Sequence, residues 1–337
     1  MTNRETPNDR GRRALALCGA GAFALLVAGC GGNQNAVAPA SPQEHSITTL
    51  FWVMLGGATV GFALVVALLW LGYARRARPG LPREVGERGA TRLVVGLGIA
   101  LPVALLVALF IWSDVFVITS TAAPNKSSTS LAVNVVGHDW WWEVRYPGTT
   151  AVTANEIHIP VRTRVYLSGT TADVIHSFWI PELNRKIDMI PGQTGHIVLD
   201  ADRAGVFRGQ CSEFCGLQHA HMAVSVVVQS TQAFHRWLDA NSRPASPSAP
   251  GEQAFLGAGC GECHQIRGTA ARGDVGPDLT HLELRSTLAA LTLANTPANL
   301  DRWIRHPQAV KPGSRMPDVR LSDTEWAAID AYLRSLR

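Results

Sequence analysis

Two long apolar runs mark the first third of the chain. They cover residues 48–73 and 93–117, and together they contain one charged residue, Asp114. At a rise of about 1.5 Å per residue, a helix over either run is long enough to cross a bilayer. A buried helix of a soluble domain is the alternative, but such a helix rarely stays so free of charge over this length. The pattern therefore predicts two transmembrane helices.

The loop between the two runs is rich in arginine, and this bias orients the hairpin. Its six arginines and two glutamates are Arg75, Arg76, Arg78, Arg83, Arg88 and Arg92, with Glu84 and Glu87. Because positively charged loops stay on the cytoplasmic side, both ends of the hairpin are expected to face outward. The C-terminal part of the chain would then lie on the periplasmic or extracellular side of a bacterial plasma membrane.

The first thirty residues have the pattern of a secretory signal. Three arginines within residues 10–13 precede an apolar stretch, residues 14–28, that ends in small side chains. The tetrapeptide V-A-G-C, which ends at Cys30, resembles a bacterial lipobox. Residues 1–29 are therefore predicted to be removed, leaving Cys30 as a lipid-anchored N-terminus. An ordinary signal peptide and an uncleaved short anchor are the alternatives.

Residues 131–229 consist of short β-rich segments broken by glycine and proline. Examples are L-A-V-N-V-V-G, R-V-Y-L-S-G, G-H-I-V-L-D and M-A-V-S-V-V-V. Several short strands at close spacing are typical of a β-sandwich or Greek-key barrel. Residues 231–250 then read as a short helix followed by a semi-rigid Pro/Ser linker. Residues 251–337 form a last unit with helical patterns at both ends, where Ser322 and Glu325 suit a capping box.

Composition agrees with a membrane protein and argues against a nucleic-acid partner. Of the 337 residues, 47% are hydrophobic and only 17% are charged, and the formal net charge is +4. This charge is too small for a nucleic-acid-binding surface, and no basic stripe with interleaved aromatic residues is present. Of the six cysteines, Cys18 and Cys30 belong to the signal region. The other four form two close pairs, which points to cofactor chemistry rather than structural disulfides.

The first cysteine pair belongs to the segment C-S-E-F-C-G-L-Q-H-A-H-M, residues 211–222. Cys211 and Cys215 are spaced so that one tight loop presents both sulfurs, and His219 and Met222 follow in the same loop. Thiolate, thioether and imidazole together favour copper over zinc, calcium or magnesium. Two cysteines suggest two copper ions that share bridging thiolates. A disulfide or half of a zinc site is the alternative, and His221 is predicted to be a bystander.

The second pair belongs to C-G-E-C-H, which has the spacing of a c-type haem attachment site. Cys260 and Cys263 would bond the haem covalently, and His264 would supply the proximal iron ligand. A thioredoxin-like redox pair is the alternative, but it would not require His264. Met316, the only methionine in this unit, is the predicted sixth ligand. The competing donors are His281 and His306, and Gly276 and Pro277 are expected to shape the loop that faces the haem.

The motifs together carry a family resemblance that covers the chain after the signal. Two apolar runs are followed by H-D-W-W-W, D-V-I-H-S-F-W-I-P, K-I-D-M-I-P-G and C-S-E-F-C-G-L-Q-H-A-H-M. This order resembles subunit II of the haem-copper cytochrome c oxidases. The trailing C-x-x-C-H unit makes the chain similar to the variety, called caa3-type, in which subunit II is fused to a cytochrome c.

The resemblance implies further site residues that spacing alone does not select. His176 would be the remote ligand of a dinuclear copper centre called CuA, although spacing alone allows His158 or His196 as well. Glu213 would bind copper through its backbone carbonyl, while its side chain would face a magnesium site at the interface with subunit I. Trp140 would be the residue that receives electrons near the copper.

Two local features qualify the resemblance. On a strand, Trp140 and Trp142 would share a side, where core packing is the alternative role for at least one of them. Many relatives carry a glutamate early in the second span, associated with a proton channel of subunit I. The matching position here is Val95, which puts that proton route in doubt for this chain.

The resemblance implies a multidomain fold and a respiratory function. The expected parts are a two-helix transmembrane hairpin (residues 30–122), an all-β cupredoxin-like Greek-key sandwich (123–230) and, after the linker, an all-α class I cytochrome c domain (251–337). The chain would pass electrons from cytochrome c or another donor, through haem c and the dinuclear copper centre, to subunit I. There oxygen would be reduced and protons pumped, and subunit III would be a further partner.

Two other functions use similar parts. A subunit of a nitric oxide reductase could contain the same copper centre, and a free membrane-anchored electron carrier would need no catalytic partner. Nitrous oxide reductase is disfavoured by the two-span hairpin and by the lack of a large extra catalytic domain.

Overall fold

The computed structural model describes residues 32–76, 86–122, 125, 129, 131–246 and 251–337. The predicted signal sequence, the lipobox that ends at Cys30 and the middle of the arginine-rich loop lie outside the described residues.

The two apolar runs form two helical rods of 35 residues each. The first is helix α1, Pro42–Arg76, and the second covers Glu87–Thr121. The most apolar 18-residue stretch has a mean hydropathy of 2.2 in the first helix and 2.8 in the second, and none of either stretch is buried against the described residues. Both are long and apolar enough to cross a membrane, whereas a helix in a soluble core would be covered by protein. Both extend beyond the predicted spans because polar residues continue the helix at each end.

The second rod is interrupted near Pro102. Two α-helical segments, α2 (Glu87–Val95) and α3 (Leu101–Trp112), are joined by a π-helical turn over Gly96–Ala100. The N–H of Leu101 donates to the carbonyl of Gly96, five residues earlier. Proline lacks an N–H and its ring crowds the preceding turn, so a locally widened helix accommodates it. A second π-helical turn, Ser113–Ile118, leads into the short α4, Thr119–Thr121.

A ten-stranded β-sandwich follows the hairpin. One sheet has the strand order β3-β2-β1-β5-β8 and the other β4-β10-β9-β6-β7. Strands β1 and β5 pair in parallel, as do β10 and β4, while the remaining pairs are antiparallel. The strands are β1 Leu131–His138, β2 Trp141–Arg145, β3 Val152–Ala154, β4 Glu156–Pro160, β5 Val165–Thr171, β6 His176–Trp179, β7 Ile187–Met189, β8 Gly195–Leu199, β9 Gly205–Cys211 and β10 Ala223–Gln229.

Alternating burial explains why these segments become strands. On β1 the side chains of Val133 and Val135 are buried, whereas Asn134 between them is exposed. The same period of two runs along β5, where Val165 and Leu167 face the core. The predicted β-rich segments therefore form β1, β5, β8 and β10, and the predicted sandwich is confirmed.

The C-terminal unit is mainly helical and has its own apolar core. Its centre contains Phe255, Trp326, Ile329 and Tyr332. Ser322 caps the last helix with Glu325 in the predicted capping box. The elements are α5 Thr231–Asn241, which precedes the unit, α6 Glu252–Gly257, α7 Cys260–Cys263, β11 Thr287–Leu288, β12 Leu293–Ala294, α8 Pro297–Arg305, α9 Pro307–Val310 and α10 Asp323–Arg334.

The described part of the linker, residues 242–246, lies against the helical unit. The N–H of Ala245 donates to the carbonyl of Arg267, and the Ala245 side chain is buried in that unit's core. His281 Nε2 donates to the carbonyl of Arg243 at 2.9 Å. Part of the linker between the two units therefore packs against the helical unit.

Glu156 of β4 joins the sandwich to the helical unit. Its buried carboxylate accepts the N–H of Ser286 at 2.9 Å and the N–H of Thr287 at 3.2 Å, and also the hydroxyl of Ser286. Burial alone would raise the pKa of the Glu156 carboxyl. The hydrogen bonds from His158 and Ser286 outweigh this effect, so the pKa of Glu156 is below its ordinary value. The contact is thus strongest when Glu156 is ionised.

We expect Glu156→Gln to loosen the helical unit from the sandwich. Charged acceptors strengthen hydrogen bonds, so the loss should be about 1–3 kcal/mol. Because the folded-state pKa is lowered, the wild-type contact should persist above the ordinary glutamate pKa and weaken as the pH falls through the folded value. Proteolysis of the segment between the two units should accelerate in the variant, and its acid dependence should flatten. Asp239→Asn, which neutralises an exposed carboxylate on α5, is the control. It should change neither the rate of proteolysis nor its dependence on pH.

Candidate copper and haem sites

The predicted copper donors lie at one end of the sandwich. Cys211 ends β9 and Met222 directly precedes β10, so residues 211–222, here called the cysteine loop, connect two antiparallel neighbours. His176 begins β6, the other neighbour of β9. The sheet register thus brings the distant histidine beside the first cysteine, which explains why 35 residues of sequence can separate two parts of one site.

The donor atoms form two matching halves around the two thiols. The sulfurs of Cys211 and Cys215 are 3.8 Å apart, with an imidazole Nδ1 and one weaker donor beside each of them. The distances are His176 Nδ1 to Cys211 Sγ 3.9 Å, Glu213 O to Cys211 Sγ 3.2 Å, His219 Nδ1 to Cys215 Sγ 3.6 Å and Met222 Sδ to Cys215 Sγ 3.8 Å. Such an arrangement suits two metal ions that share both sulfurs.

The alternatives for the cysteine pair do not fit this geometry. A disulfide would require the sulfurs to be about 2.05 Å apart, so both cysteines are free thiols. A structural zinc site is closed by four donors, whereas six converge here and one is a thioether. The hydrogen bond from the Cys215 thiol lowers the pKa of Cys211, and the same contact raises the pKa of Cys215. One thiolate is thus favoured even before a metal binds.

Two residues that the sequence analysis did not identify hold His176 in place. Asp173 Oδ1 lies 2.8 Å from His176 Nε2, which leaves Nδ1 to face the sulfurs. Gly137 of β1 lies against the imidazole, since a Cβ on this residue would be only 2.7 Å from the His176 ring. A glycine inside a strand pattern, and an aspartate three residues before a ligand, were the available signals.

The other histidines of the sandwich stay outside this cluster. His158 stacks on Trp237 at a centroid distance of 4.0 Å, and His196 packs against Tyr166. His221 bonds through Nδ1 to the Gln218 side chain at 2.8 Å instead of facing the sulfurs. Its placement agrees with the predicted bystander role.

The second site surrounds His264 in the helical unit. The imidazole is partly buried, and its Nδ1–H donates to the carbonyl of Pro277 at 2.8 Å. That bond leaves Nε2 as the atom with a free lone pair, the arrangement expected of a histidine that binds iron. Burial lowers the pKa of His264, which favours the neutral form that can act as a ligand.

A largely apolar cavity connects the predicted haem residues. Cys260, Cys263, His264 and Met316 all line it. The competing donors do not, since His306 is exposed and His281 Nε2 is bonded to the carbonyl of Arg243. Of the three predicted candidates for the sixth ligand, Met316 is the one that shares the cavity with His264.

Two further observations test whether haem suits this cavity. Arg285 lines it, and within the described chain its buried Nε has no hydrogen-bond partner. A haem carries carboxylate groups, which are the natural partners of such a guanidinium. Gly276 also lies flat against His264, since a Cβ there would be 2.6 Å from the ring. The residues present therefore fit a haem.

Comparisons with known proteins match both of the domains that carry these candidate sites. Residues 149–231 match the family model "Cytochrome C oxidase subunit II, periplasmic domain", and residues 248–337 match the model "Cytochrome c". Cytochrome c oxidase subunit 2 of Alkalihalophilus pseudofirmus is 32% identical over 333 residues, which cover 93% of this chain and 94% of that protein.

This chain belongs to the cytochrome c oxidase subunit II family. The subunit 2 of Bacillus sp. PS3 is 27% identical, with coverage of 94% of this chain and 96% of that protein. The periplasmic domain of subunit II of cytochrome oxidase from Bradyrhizobium japonicum is 30% identical, covers 35% of this chain and 96% of that domain, and has a TM-score of 0.34. As a subunit II with a cytochrome c domain, the chain is part of a membrane-anchored haem-copper oxidase that binds copper and haem and includes a subunit I.

The tryptophans of this subunit II do not alternate along a strand as predicted. Trp140 lies in the turn between β1 and β2, because β2 begins at Trp141. Trp140 and Trp142 nevertheless both reach the cysteine loop. Trp140 Nε1 donates to the carbonyl of Cys215 at 2.8 Å, and Trp142 Nε1 donates to the carbonyl of Met222 at 3.4 Å. Trp142 is fully buried, so of the two Trp140 is the partly accessible one.

Replacing one thiol should destroy a shared dinuclear centre. We expect two copper ions per chain and a mixed-valence electron paramagnetic resonance (EPR) signal, because two matching halves share both sulfurs. Cys215→Ser should abolish this signal. His221→Asn removes an imidazole from the same loop that does not face the sulfurs, and it should leave the signal intact. A single copper ion per wild-type chain, or zinc in place of copper, would contradict the prediction of a dinuclear copper centre.

Met316→Leu should change the axial ligation of the haem. A leucine keeps the apolar packing but removes the thioether, so the spectrum should lose the features of His–Met coordination. His306→Asn is the matched control, and visible and EPR spectroscopy of the isolated complex provide the measurement. An unchanged spectrum in the methionine variant would assign the sixth ligand to another residue.

Proposed function

We propose that this chain is the electron-receiving subunit of a terminal oxidase. It would take electrons from a donor through haem c, held by Cys260, Cys263 and His264, and pass them through the dinuclear copper centre to subunit I. There oxygen reduction would be coupled to proton pumping. The observation that carries the proposal is the position of Trp140, which lines the haem cavity and also hydrogen-bonds the backbone of a copper ligand.

The haem cavity opens directly onto the sandwich. Asp139, Trp140 and Trp141 belong to the turn that leads into β2, and all three line the cavity together with the haem residues. Trp141 stacks on His138 at a centroid distance of 4.3 Å, which holds this wall of the cavity rigid. The face of the sandwich nearest the cysteine loop is thus covered by the haem domain of the same chain.

The chemistry asked of the protein is electron transfer, and its scaffold suits that task. When bound, haem c and a thiolate-bridged copper pair each carry one electron at a time. Cys211, Cys215, Met222 and His176 lie on or next to paired strands, and all four are buried. Because these side chains are held by the sheet and shielded from water, they should move little when the metal site gains or loses an electron. Little movement favours fast electron transfer.

The route out of the copper site is proposed to run past Glu213. Its backbone carbonyl faces Cys211, while its side chain is about half exposed and lies 3.9 Å from Lys186. The adjacent Phe214 is 76% exposed. Among the described residues this outer side of the loop is largely exposed, which supports contact with subunit I and a magnesium site there. Subunit III and the electron donor are further proposed partners.

The proposed membrane arrangement rests on the charge pattern of the sequence. The arginines between the two helices favour a cytoplasmic loop, which would place the copper and haem domains on the outer side of a bacterial plasma membrane. Lipid attachment at Cys30 is a separate proposal that rests on the lipobox resemblance.

The function itself is tested with the purified complex. We expect the chain to copurify with a multi-span haem subunit and the complex to consume oxygen when it is given a reduced electron donor. Turnover of nitric oxide without oxygen uptake would instead support the nitric oxide reductase alternative. Isolation of the chain without such a partner would support a free electron carrier.

Trp140→Phe should slow electron transfer from haem to copper severalfold. Phenylalanine keeps a ring against the cavity but cannot donate to the Cys215 carbonyl. Trp141→Phe is the matched control, because Trp141 lines the same cavity and makes its ring contact with His138 rather than with the cysteine loop. Flash-photolysis kinetics give the rates. Equal rates in wild type and Trp140→Phe would remove Trp140 from the path.

A further inference from the structure

The segment directly before Met316 makes an unusually polar contact with the copper domain. Lys311 is 4% exposed, and its ammonium donates to the carbonyl of Trp140 at 3.0 Å and to that of His221 at 3.1 Å. Next to it, Gln218 of the cysteine loop donates to the carbonyl of Pro312 at 2.6 Å. We call residues 311–315 the docking segment, since it joins the haem-ligand loop to the cysteine loop.

Close packing reinforces these bonds. Gly313 has a φ of +81° and lies against Leu217 of the cysteine loop, where a Cβ would be 2.8 Å from the leucine side chain. A side chain at this position would be strained and would also push the two loops apart. The docking segment therefore holds the loop that carries Met316 in one position relative to the copper ligands.

Arg315 extends the contact to a copper ligand through three successive bonds. Its guanidinium donates to Asp139 Oδ2 at 2.8 Å and lies 4.0 Å from Asp173 Oδ2. The N–H of Asp139 donates to Asp173 Oδ2 at 2.7 Å. Asp173 Oδ1 in turn lies 2.8 Å from Nε2 of His176. A residue adjacent to the haem ligand Met316 is thus linked to the imidazole that faces Cys211.

The two carboxylates of this network are poorly accessible to solvent, whereas the Arg315 side chain that approaches them is 58% exposed. The side chains of Asp139 and Asp173 are only 12% and 16% exposed. Within the described chain, Asp139 Oδ1 is buried and has no hydrogen-bond partner. Arg315 is the cation that the structure places on these two carboxylates. Without it, two negative charges would remain beside His176 in a region of low dielectric.

We propose that Arg315 is a positioning residue through which docking of the haem domain raises the reduction potential of the copper site. The proposal rests on the proposed function, because it takes His176 as a copper ligand. A positive charge nearby favours the reduced state, which carries one positive charge less. The step it promotes moves one electron, so that ferrous haem becomes ferric and the oxidised copper pair becomes fully reduced. Copper then accepts electrons best when the haem is docked.

The test measures the copper and haem potentials separately in the assembled oxidase. Redox titrations follow copper by its EPR signal and haem by its visible absorption, in wild type and in Arg315→Gln. We expect the copper potential to fall, so that the equilibrium constant for passing an electron from a fixed-potential donor to copper drops roughly threefold to tenfold. Arg315→Lys should restore most of the wild-type value. Arg320→Gln removes an equal charge from an exposed position five residues further along the chain and should leave the copper potential unchanged.

A variant of opposite charge separates this effect from mere loosening of the interface. Asp139→Asn breaks the same ion pair but removes a negative charge, so it should raise the copper potential. If Arg315→Gln does not assemble, the copper potentials of the other two variants test the proposal. The copper potential should rise in Asp139→Asn and should stay near the wild-type value in Arg315→Lys.

Three results would overturn the proposal. They are an unchanged copper potential in Arg315→Gln, a shift of the haem potential alone, and shifts of the same sign in Arg315→Gln and Asp139→Asn. These failures differ from a failure of the proposed function, which would appear as a wild-type chain that binds no copper.

Discussion

The candidate copper site depends on the thiols of Cys211 and Cys215, which lie 3.8 Å apart without being bonded to each other. Only one of these two buried sulfurs is favoured as a thiolate on its own, and bound metal ions would stabilise the charge of both. The surrounding structure supplies an imidazole for each sulfur and, through Gly137, the space in which one of these imidazoles lies against β1. The pairing of β6, β9 and β10 fixes these groups in the same place, and the rest of the sandwich keeps that end of the sheet rigid.

The haem domain contacts the end of the sandwich that carries the cysteine loop. Its cavity opens onto Trp140, its docking segment bonds the cysteine loop, and Glu156 holds a second place of contact with the sandwich. Part of the linker packs on the haem domain rather than serving as a free spacer. The contacts between the two domains therefore set one orientation of the candidate haem site relative to the candidate copper site.

Local sequence predicted the parts of the sites whose residues are close together along the chain. The cysteine loop and the C-x-x-C-H motif place most of their donors within a few residues, so their spacing alone indicated copper and haem. The strands and the capping box at Ser322 were also predictable, because alternation and capping are local rules. His176 was different, since its partnership with Cys211 depends on sheet register and only the family resemblance selected it.

The residues that the sequence did not reveal act across the fold. Asp173, Lys311 and Arg315 are ordinary polar residues in the sequence, and their roles come from which domain faces them. Trp140 was expected to share one side of a strand with Trp142, whereas the chain turns at Trp140 and brings its indole to the Cys215 carbonyl. Spacing rules describe neighbours along the chain, and these contacts join segments that are far apart in sequence.

The most direct test of this account is single-electron injection into the purified, oxygen-free complex. Rapid photoreduction of the haem should be followed by loss of ferrous haem and gain of reduced copper, with equal first-order rates that do not change when the complex is diluted. Such behaviour is required if the haem domain of each chain serves its own copper site. Copper reduction that scales with protein concentration, or that precedes haem reduction, would contradict the account.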